Sequence, residues 1–126
     1  MYSLTVRDHM FIAHSLKGEI FGPAQNLHGT TYIIEAEFKR THLDEHNMVL
    51  DMGLASRILK EVVSGLNYRN LDEMEEFKSD ITTTEYLAER IHLQIKKKVV
   101  SFFKGLLKVT LHESPEAWAS YEAEIK

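Results

Sequence analysis

A few polar residues continue otherwise apolar patterns, and their side chains can do chemistry. His14 follows Met10 and Ile12 on one parity of an alternating segment. His28 and Thr30 precede Tyr32 and Ile34 on one parity of another. If the two segments pair as strands through the chain between them, His14 and His28 meet at one end of a sheet. Two imidazoles so placed could ligate a divalent metal, zinc being the usual choice for nitrogen ligands. The placement equally suits two hydrogen-bonded, partly buried histidines, because two ligands alone do not hold zinc. His9, His42 or His46 would complete a set only if the register or a neighbouring subunit brought one close.

Glu113 extends the apolar parity of Leu107, Val109 and Leu111. A buried, unpaired carboxylate costs several kcal/mol, roughly, so this one calls for a partner. The partner is either an Arg or Lys of the protein or a ligand with two parallel N–H donors, such as the amino-pyrimidinone edge of a pterin or purine. Thr82, Thr83 and Thr84 precede a helical pattern, and Thr82 and Glu85 have the spacing of a capping box. A helix start also offers free N–H groups to a polar ligand, so capping and binding are compatible. Lys96, Lys97 and Lys98 read as a solvated helix end favoured by the helix dipole.

These residues need elements to position them. Residues 4–14 and 28–38 alternate with period two, the signature of half-buried strands, and Gly18, Gly22 and Pro23 punctuate the loop between them. The period then lengthens. Leu54, Ala55, Ile58, Leu59, Val62, Val63 and Leu66 recur at three- and four-residue steps, which predicts an amphipathic helix beginning near Asp51. Residues 67–80 are polar and read as a connection. Leu87, Ala88, Ile91, Ile95 and Val99 predict a second helix from residue 82. Alternation returns at 107–111 and, after a turn at Ser114, Pro115 and Glu116, at 117–125. Two strands, two helices and two strands predict an α+β fold, an antiparallel sheet with the helices on one face. Residues 1–126 read as a single domain.

Composition narrows the class. The hydrophobic fraction of 44% and charged fraction of 27% are those of a globular protein, and no long uncharged apolar run suggests a membrane span. A net charge of −4 argues against nucleic acid as a partner. The first ten residues lack the pattern of a secretory leader, which predicts a cytoplasmic protein. The absence of cysteine excludes disulfides, thiolate metal sites and a thiol nucleophile.

Several segments, in order, resemble the 6-pyruvoyltetrahydropterin synthase and 6-carboxytetrahydropterin synthase family. Phe11, Ile12, Ala13 and His14 resemble its first-strand motif ending in a metal-binding histidine. Phe21, Gly22, Pro23 and Ala24, then Leu27, His28, Gly29, Thr30, Thr31 and Tyr32, resemble its cysteine loop and His-Gly-His motif. Met48, Val49, Leu50 and Asp51 resemble the entry to its first helix. Leu66, Asn67, Tyr68, Arg69, Asn70, Leu71 and Asp72 resemble Leu-Asp-His-x-x-Leu. Thr83, Thr84, Glu85, Tyr86, Leu87 and Ala88 resemble Thr-x-Glu-Asn-x-Ala, and His112 with Glu113 resembles its strand-end glutamate.

The resemblance implies the tunnelling fold, or T-fold. There, two-strand, two-helix, two-strand subunits join their sheets into barrels, usually a homo-hexamer, with sites at subunit interfaces. It implies a glutamate and nearby main chain holding a pterin ring, and zinc on three histidines polarising its side chain. It also implies a cysteine, assisted by an aspartate–histidine pair, that moves protons. In this sequence His14 and His28 fill two zinc positions and Thr30 the third. Ala24 stands at the cysteine, and Asn67 and Tyr68 at the aspartate and histidine. The ring-holding Glu113 and the threonines at 82–84 remain.

The expectation is a protein that binds a pterin- or purine-like ring, with altered or lost lyase chemistry. If active, it would be a carbon–oxygen or carbon–carbon lyase on a dihydropterin, with Glu19 and Tyr68 as candidate proton carriers. Some members of the family cleave the pterin side chain by a retro-aldol route with a glutamate near the missing cysteine's place. A non-catalytic ligand-binding or scaffold protein is the alternative. A standard zinc-dependent pterin synthase is the reading least favoured by the substitutions.

Overall fold

The computed structural model describes residues 1–126. Strands β1 (Tyr2–His14), β2 (His28–Arg40), β3 (Gly105–Ser114) and β4 (Ala117–Ile125) form one antiparallel sheet in the order β1-β2-β3-β4. Helices α1 (Met52–Ser64) and α2 (Thr84–Val99) both lie between β2 and β3 in the chain. They pack on one face of the sheet, α1 over β1 and α2 over β3 and β4. The α+β, β-β-α-α-β-β architecture read from periodicity is the observed one.

Alternation makes this sheet two-sided. Val6, Met10 and Ile12 of β1, Tyr32, Ile34, Ala36 and Phe38 of β2, and Leu107, Val109 and Leu111 of β3 are all buried beneath the helices. The helices answer with Ala55, Ile58, Leu59, Val62 and Val63 from α1, and Leu87, Ala88, Ile91, Ile95 and Val99 from α2. With Val49, Leu66, Leu71, Phe77, Phe103 and Ile125 they form a single cluster of 26 buried residues. Each large side chain so buried contributes about 1.5–3 kcal/mol of transfer free energy. The other face of the sheet carries Arg7, Glu35, Lys39, Lys108 and Glu122 and is uncovered in the chain.

The helix ends are set by local chemistry. Asp51 caps α1, its carboxylate accepting from the Leu54 N–H at 2.8 Å. The cap of α2 is Thr83, whose hydroxyl accepts from the Tyr86 N–H at 3.1 Å. This corrects the capping expected from Thr82 and Glu85 by one residue: Thr82 is buried and turned toward the sheet, so it is not free to cap. Lys96, Lys97 and Lys98 occupy the last turn of α2, where their charge favours the carbonyl end of the helix, and Lys98 pairs with Glu61 at 3.0 Å. Two stretches read as plain connections contain 3₁₀ turns, at Glu19–Gln25 and at Leu71–Glu73 with Glu75–Phe77. These turns are too short to show a hydrophobic period. No helix is long and apolar enough to cross a membrane.

The strands differ in reach. β1 and β2 pair over their whole length, from Tyr2↔Arg40 to His14↔His28. β3 pairs with β2 only from Lys39↔Leu106 to Ile33↔His112. Residues 28–32 of β2 therefore extend beyond β3, paired on the β1 side alone, and a notch opens where β3 leaves the sheet. At the opposite end Gly105 starts β3 in tight contact with β2. A Cβ there would lie 2.3 Å from the Lys39 carbonyl oxygen, a backbone atom that cannot swing aside. At Gly29 the only close neighbour is the ring of Phe11, an exposed and movable side chain. Gly105→Ala is accordingly expected to cost on the order of 1–3 kcal/mol in denaturant unfolding, and Gly29→Ala distinctly less. Equal costs would show that the β2–β3 approach is not tight.

Candidate functional site

Full pairing of β1 with β2 brings His14 and His28 together as the last register pair, their ring centroids 4.7 Å apart. His14 is buried and its Nδ1 is hydrogen-bonded to the Thr82 hydroxyl at 3.0 Å. The Nδ1–H of His28 donates to the Asn26 carbonyl at 2.8 Å, leaving Nε2 as its unprotonated nitrogen in the neutral ring. Burial is the main reason that the His14 pKa lies below the ordinary 6.5. Repulsion from His28 adds to it, and Asp72 and Thr82 act the other way. Asp72 is fixed nearby, accepting from the Ser15 N–H at 3.1 Å and the Ser15 hydroxyl at 2.6 Å.

Zinc on three histidines does not fit this pair. Thr30, at the third position, offers a neutral hydroxyl. No group of three His, Cys, Asp or Glu side chains converges anywhere in the chain. His9 is on the opposite parity of β1 from His14. His42 and His46 follow the far end of β2, about 40 Å away at the usual rise per residue.

The positions implied for proton transfer have structural duties. Asn67 accepts from the Phe11 N–H through Oδ1 at 2.9 Å, substituting for a neighbouring strand at the edge of β1. The next residues continue that edge: the Tyr68 N–H donates to the Phe11 carbonyl at 2.7 Å, and the Ala13 N–H to the Arg69 carbonyl at 3.0 Å. Tyr68 has a left-handed backbone (φ 61°), and its side chain is 82% exposed, with Phe11 as its aromatic neighbour. The Ala24 carbonyl accepts from the Leu16 N–H, and Glu19 is exposed at the start of the first 3₁₀ turn. The loop, the edge segment and the histidine pair thus gather at one end of the sheet, with no ionisable group at position 24.

Glu113 departs from its expected burial. A bulge between His112 and Ser114 breaks the alternation of β3, and the Glu113 side chain is exposed. An extra residue in a strand re-aims its side chain, which parity counting from Leu111 does not register. Glu113 has no Arg or Lys partner. It shares an open groove of about 310 Å³ with Arg7, Thr31, Ile33, His112, Ser114 and Pro115, at the notch where β3 ends. It also lies close enough to raise the Tyr32 pKa, after the larger effect of burial; the Tyr32 hydroxyl is 3.1 Å from that of Thr84. The three threonines therefore have separate places: Thr82 on His14, Thr83 on the helix cap, and Thr84 on Tyr32 beside Glu113.

Sequence reasoning missed a network on the uncovered face. Arg7 Nη2 and Nε donate to Glu35 Oε2 at 2.6 and 3.1 Å, and His112 Nε2 donates to Glu35 Oε1 at 2.8 Å. These hydrogen bonds, first that of His112 and then that of Arg7, hold the Glu35 carboxyl below its ordinary range. Opposite charges on the polar parities of β1 and β2 were visible as a signal, but their meeting depends on the register.

The depressed His14 pKa has a signed consequence. The folded chain binds its proton less readily than the unfolded one, so the contribution to stability is complete above about pH 6.5 and is lost as the pH falls through the folded value. Buried His92, also shifted down mainly by burial, acts in the same direction. Unfolding free energy is expected to fall between pH 7 and 5, and less steeply in His14→Gln. An identical pH slope in that variant would rule out a neutral His14.

A family model described as 6-pyruvoyl tetrahydropterin synthase matches residues 3–124. The 6-pyruvoyl tetrahydrobiopterin synthase of Dictyostelium discoideum is 30% identical over 108 residues, 84% of this chain and 78% of that protein. The solved 6-pyruvoyl tetrahydropterin synthase of Caenorhabditis elegans superposes with a TM-score of 0.84 at 24% identity, covering 97% of this chain and 95% of that one. That of Plasmodium vivax gives 0.81 at 18% identity, with 98% of each chain covered. The fold is the T-fold of these structures, and the chain belongs to the 6-pyruvoyl tetrahydropterin synthase family.

Proposed function

We propose that this protein binds a pterin- or purine-like ring in the groove at the end of β3, with Glu113 accepting from adjacent ring N–H groups. The observation that carries this reading is the state of Glu113 within the chain. Glu113 is exposed with no protein cation paired to it, and the carboxylate borders a groove with Thr31, His112 and Ser114. Tyr32 is near enough to Glu113 to feel its charge, but it is buried beneath the helices and, like Thr84, lines no part of the groove. Family membership supports a pterin as the ring. Main-chain groups along residues 28–32, unpaired on the β3 side, add donors and acceptors at the notch.

The chemistry differs from that implied for the family's zinc- and cysteine-bearing members. Ala24 carries no proton, Asn67 is engaged with the edge of β1, and Tyr68 points into solvent. Such positioned acid–base groups contribute ~10²–10⁴-fold each, so their joint loss removes the standard lyase route. Glu19 and Tyr68 remain the only replacements that the loop sequence offers, and neither is hydrogen-bonded through its side chain to another candidate. A purely ligand-binding or scaffold role is the second reading, favoured by the same structural use of Asn67.

The assembly belongs to the proposal as well. β1 over residues 2–10 and β4 both present uncovered edges, which a ring of subunits would pair. We expect a homo-hexamer with zinc absent or substoichiometric. Native mass spectrometry of protein purified without chelators reads both quantities. A stable monomer, or one tightly bound zinc per chain, would contradict the respective half.

The ring site has its own test. Glu113→Ala removes a charge-assisted acceptor worth ~1.5–3 kcal/mol of affinity for a pterin or guanine probe. Glu113→Gln, which turns one acceptor into a donor, is expected to weaken binding at least comparably. Because Glu113 is exposed, both variants should unfold within about 0.5 kcal/mol of the native protein. Ligand-induced stabilisation, about 2.7 kcal/mol at a hundredfold excess over Kd, measures the affinity. Undiminished binding in both variants would place the ring elsewhere.

A further inference from the structure

The proton-transfer positions implied by family resemblance are vacated, yet a histidine held by an ionised carboxylate lines the very groove assigned to the ring. From this geometry we infer that His112 is the site's proton-transferring base, with Glu35 and Arg7 as its positioning residues. The inference rests on the ring-binding reading above and adds a catalytic role to it.

The contacts of Glu35 fix the tautomer of His112. Glu35 receives Arg7 on one oxygen, at 2.6 and 3.1 Å, and His112 Nε2 on the other, at 2.8 Å. An ionised carboxylate only accepts, so Nε2 must carry the hydrogen. The neutral imidazole then has its lone pair on Nδ1. That nitrogen makes no hydrogen bond within the chain and is not among the buried unpaired atoms, so it is open to solvent or ligand. An acid fixing one ring nitrogen so that the other faces the reactant is the arrangement that general-base histidines require.

Position completes the case. His112 and Glu113 flank the bulge and line the same groove, so a ring held by Glu113 lies beside the imidazole. Trp118, its register partner on β4, stands beside the ring at 5.3 Å between centroids. The charged groups around it are Arg7 from β1, Glu35 and Glu37 from β2, and Lys108 and Glu113 from β3; β4 contributes the uncharged Trp118. Arg7 is 63% exposed and its ion pair adds little stability by itself. Its effect is to keep Glu35 ionised and aimed at His112.

The step is a proton transfer without oxidation or reduction. Nδ1 takes a proton from a C–H or O–H of a ring substituent, and the bonding pair stays on the ligand, delocalised into the conjugated ring. The imidazolium then returns the proton to the same or a neighbouring atom. No co-reactant is needed.

The test uses full-length protein with 7,8-dihydroneopterin as probe, in heavy water. Side-chain exchange or conversion is followed by NMR, and binding by thermal shift. His112→Gln keeps an N–H that reaches Glu35 but lacks the second nitrogen. It is expected to lower exchange or conversion ~10²-fold or more while binding changes only a few-fold. Glu35→Ala removes the acceptor that fixes the Nε2–H tautomer, and the nitrogen NMR of His112 in that variant should show both tautomers while binding changes only a few-fold. A readout that needs no ligand is the nitrogen NMR of His112, expected to show a protonated Nε2 and a bare Nδ1. Binding by the native protein without exchange, an undiminished rate in His112→Gln, or a protonated Nδ1 overturns the role of His112 alone. Failure of the native protein to bind the probe or a pterin overturns the ring site and this role together.

Discussion

The unequal reach of three strands governs the rest of the molecule. β1 and β2 stay in register to their ends, so two histidines far apart in sequence become a pair. β3 leaves β2 at Ile33 and bulges before the turn to β4. Had β3 run alongside residues 28–32, the notch would be filled by strand. The register of β1 and β2 is secured by core residues, Val6 and Met10 opposite Ala36 and Tyr32, because a slip of one residue would turn every apolar side chain outward. Packing that has no chemistry of its own thereby sets the geometry of the groups that do.

The same end of the sheet gives structural work to positions for which the family resemblance implies chemistry. Asn67 and Tyr68 stand at positions implied for a proton-transfer pair, but their backbone and amide groups complete the edge of β1. His14 stands at an implied metal position and is tied to Thr82 instead, coupling the start of α2 to the end of the sheet. None of these contacts needs an ionised group. On the uncovered face of the sheet, the Arg7, Glu35 and His112 contacts run across three strands and do include charge.

Much of this was legible in the sequence, for physical reasons that also mark where reading fails. Period-two and period-3.6 patterns report burial directly, so the strand faces at 4–14, 28–38 and 107–111 and the helix faces of α1 and α2 were readable, as was the pairing of His14 with His28. Glu113 misled because its burial was inferred from parity, and a bulge changes parity without changing composition. Thr82 misled because it alone of the three threonines has the capping-box spacing to Glu85, whereas its tertiary contact with His14 leaves Thr83 to cap the helix. The Arg7–Glu35–His112 contacts were unreadable because they require two registers at once.

Asn67 illustrates what a fold can and cannot sense. Its service to β1 is one carbonyl oxygen 2.9 Å from the Phe11 N–H. An aspartate oxygen could accept that same hydrogen. To the strand edge, amide and acid are interchangeable; to a neighbouring base, they are opposites. Mutation can therefore carry this position between a catalytic and a structural state without passing through a misfolded intermediate. A strand edge of this kind constrains the shape of residue 67 and leaves its charge free.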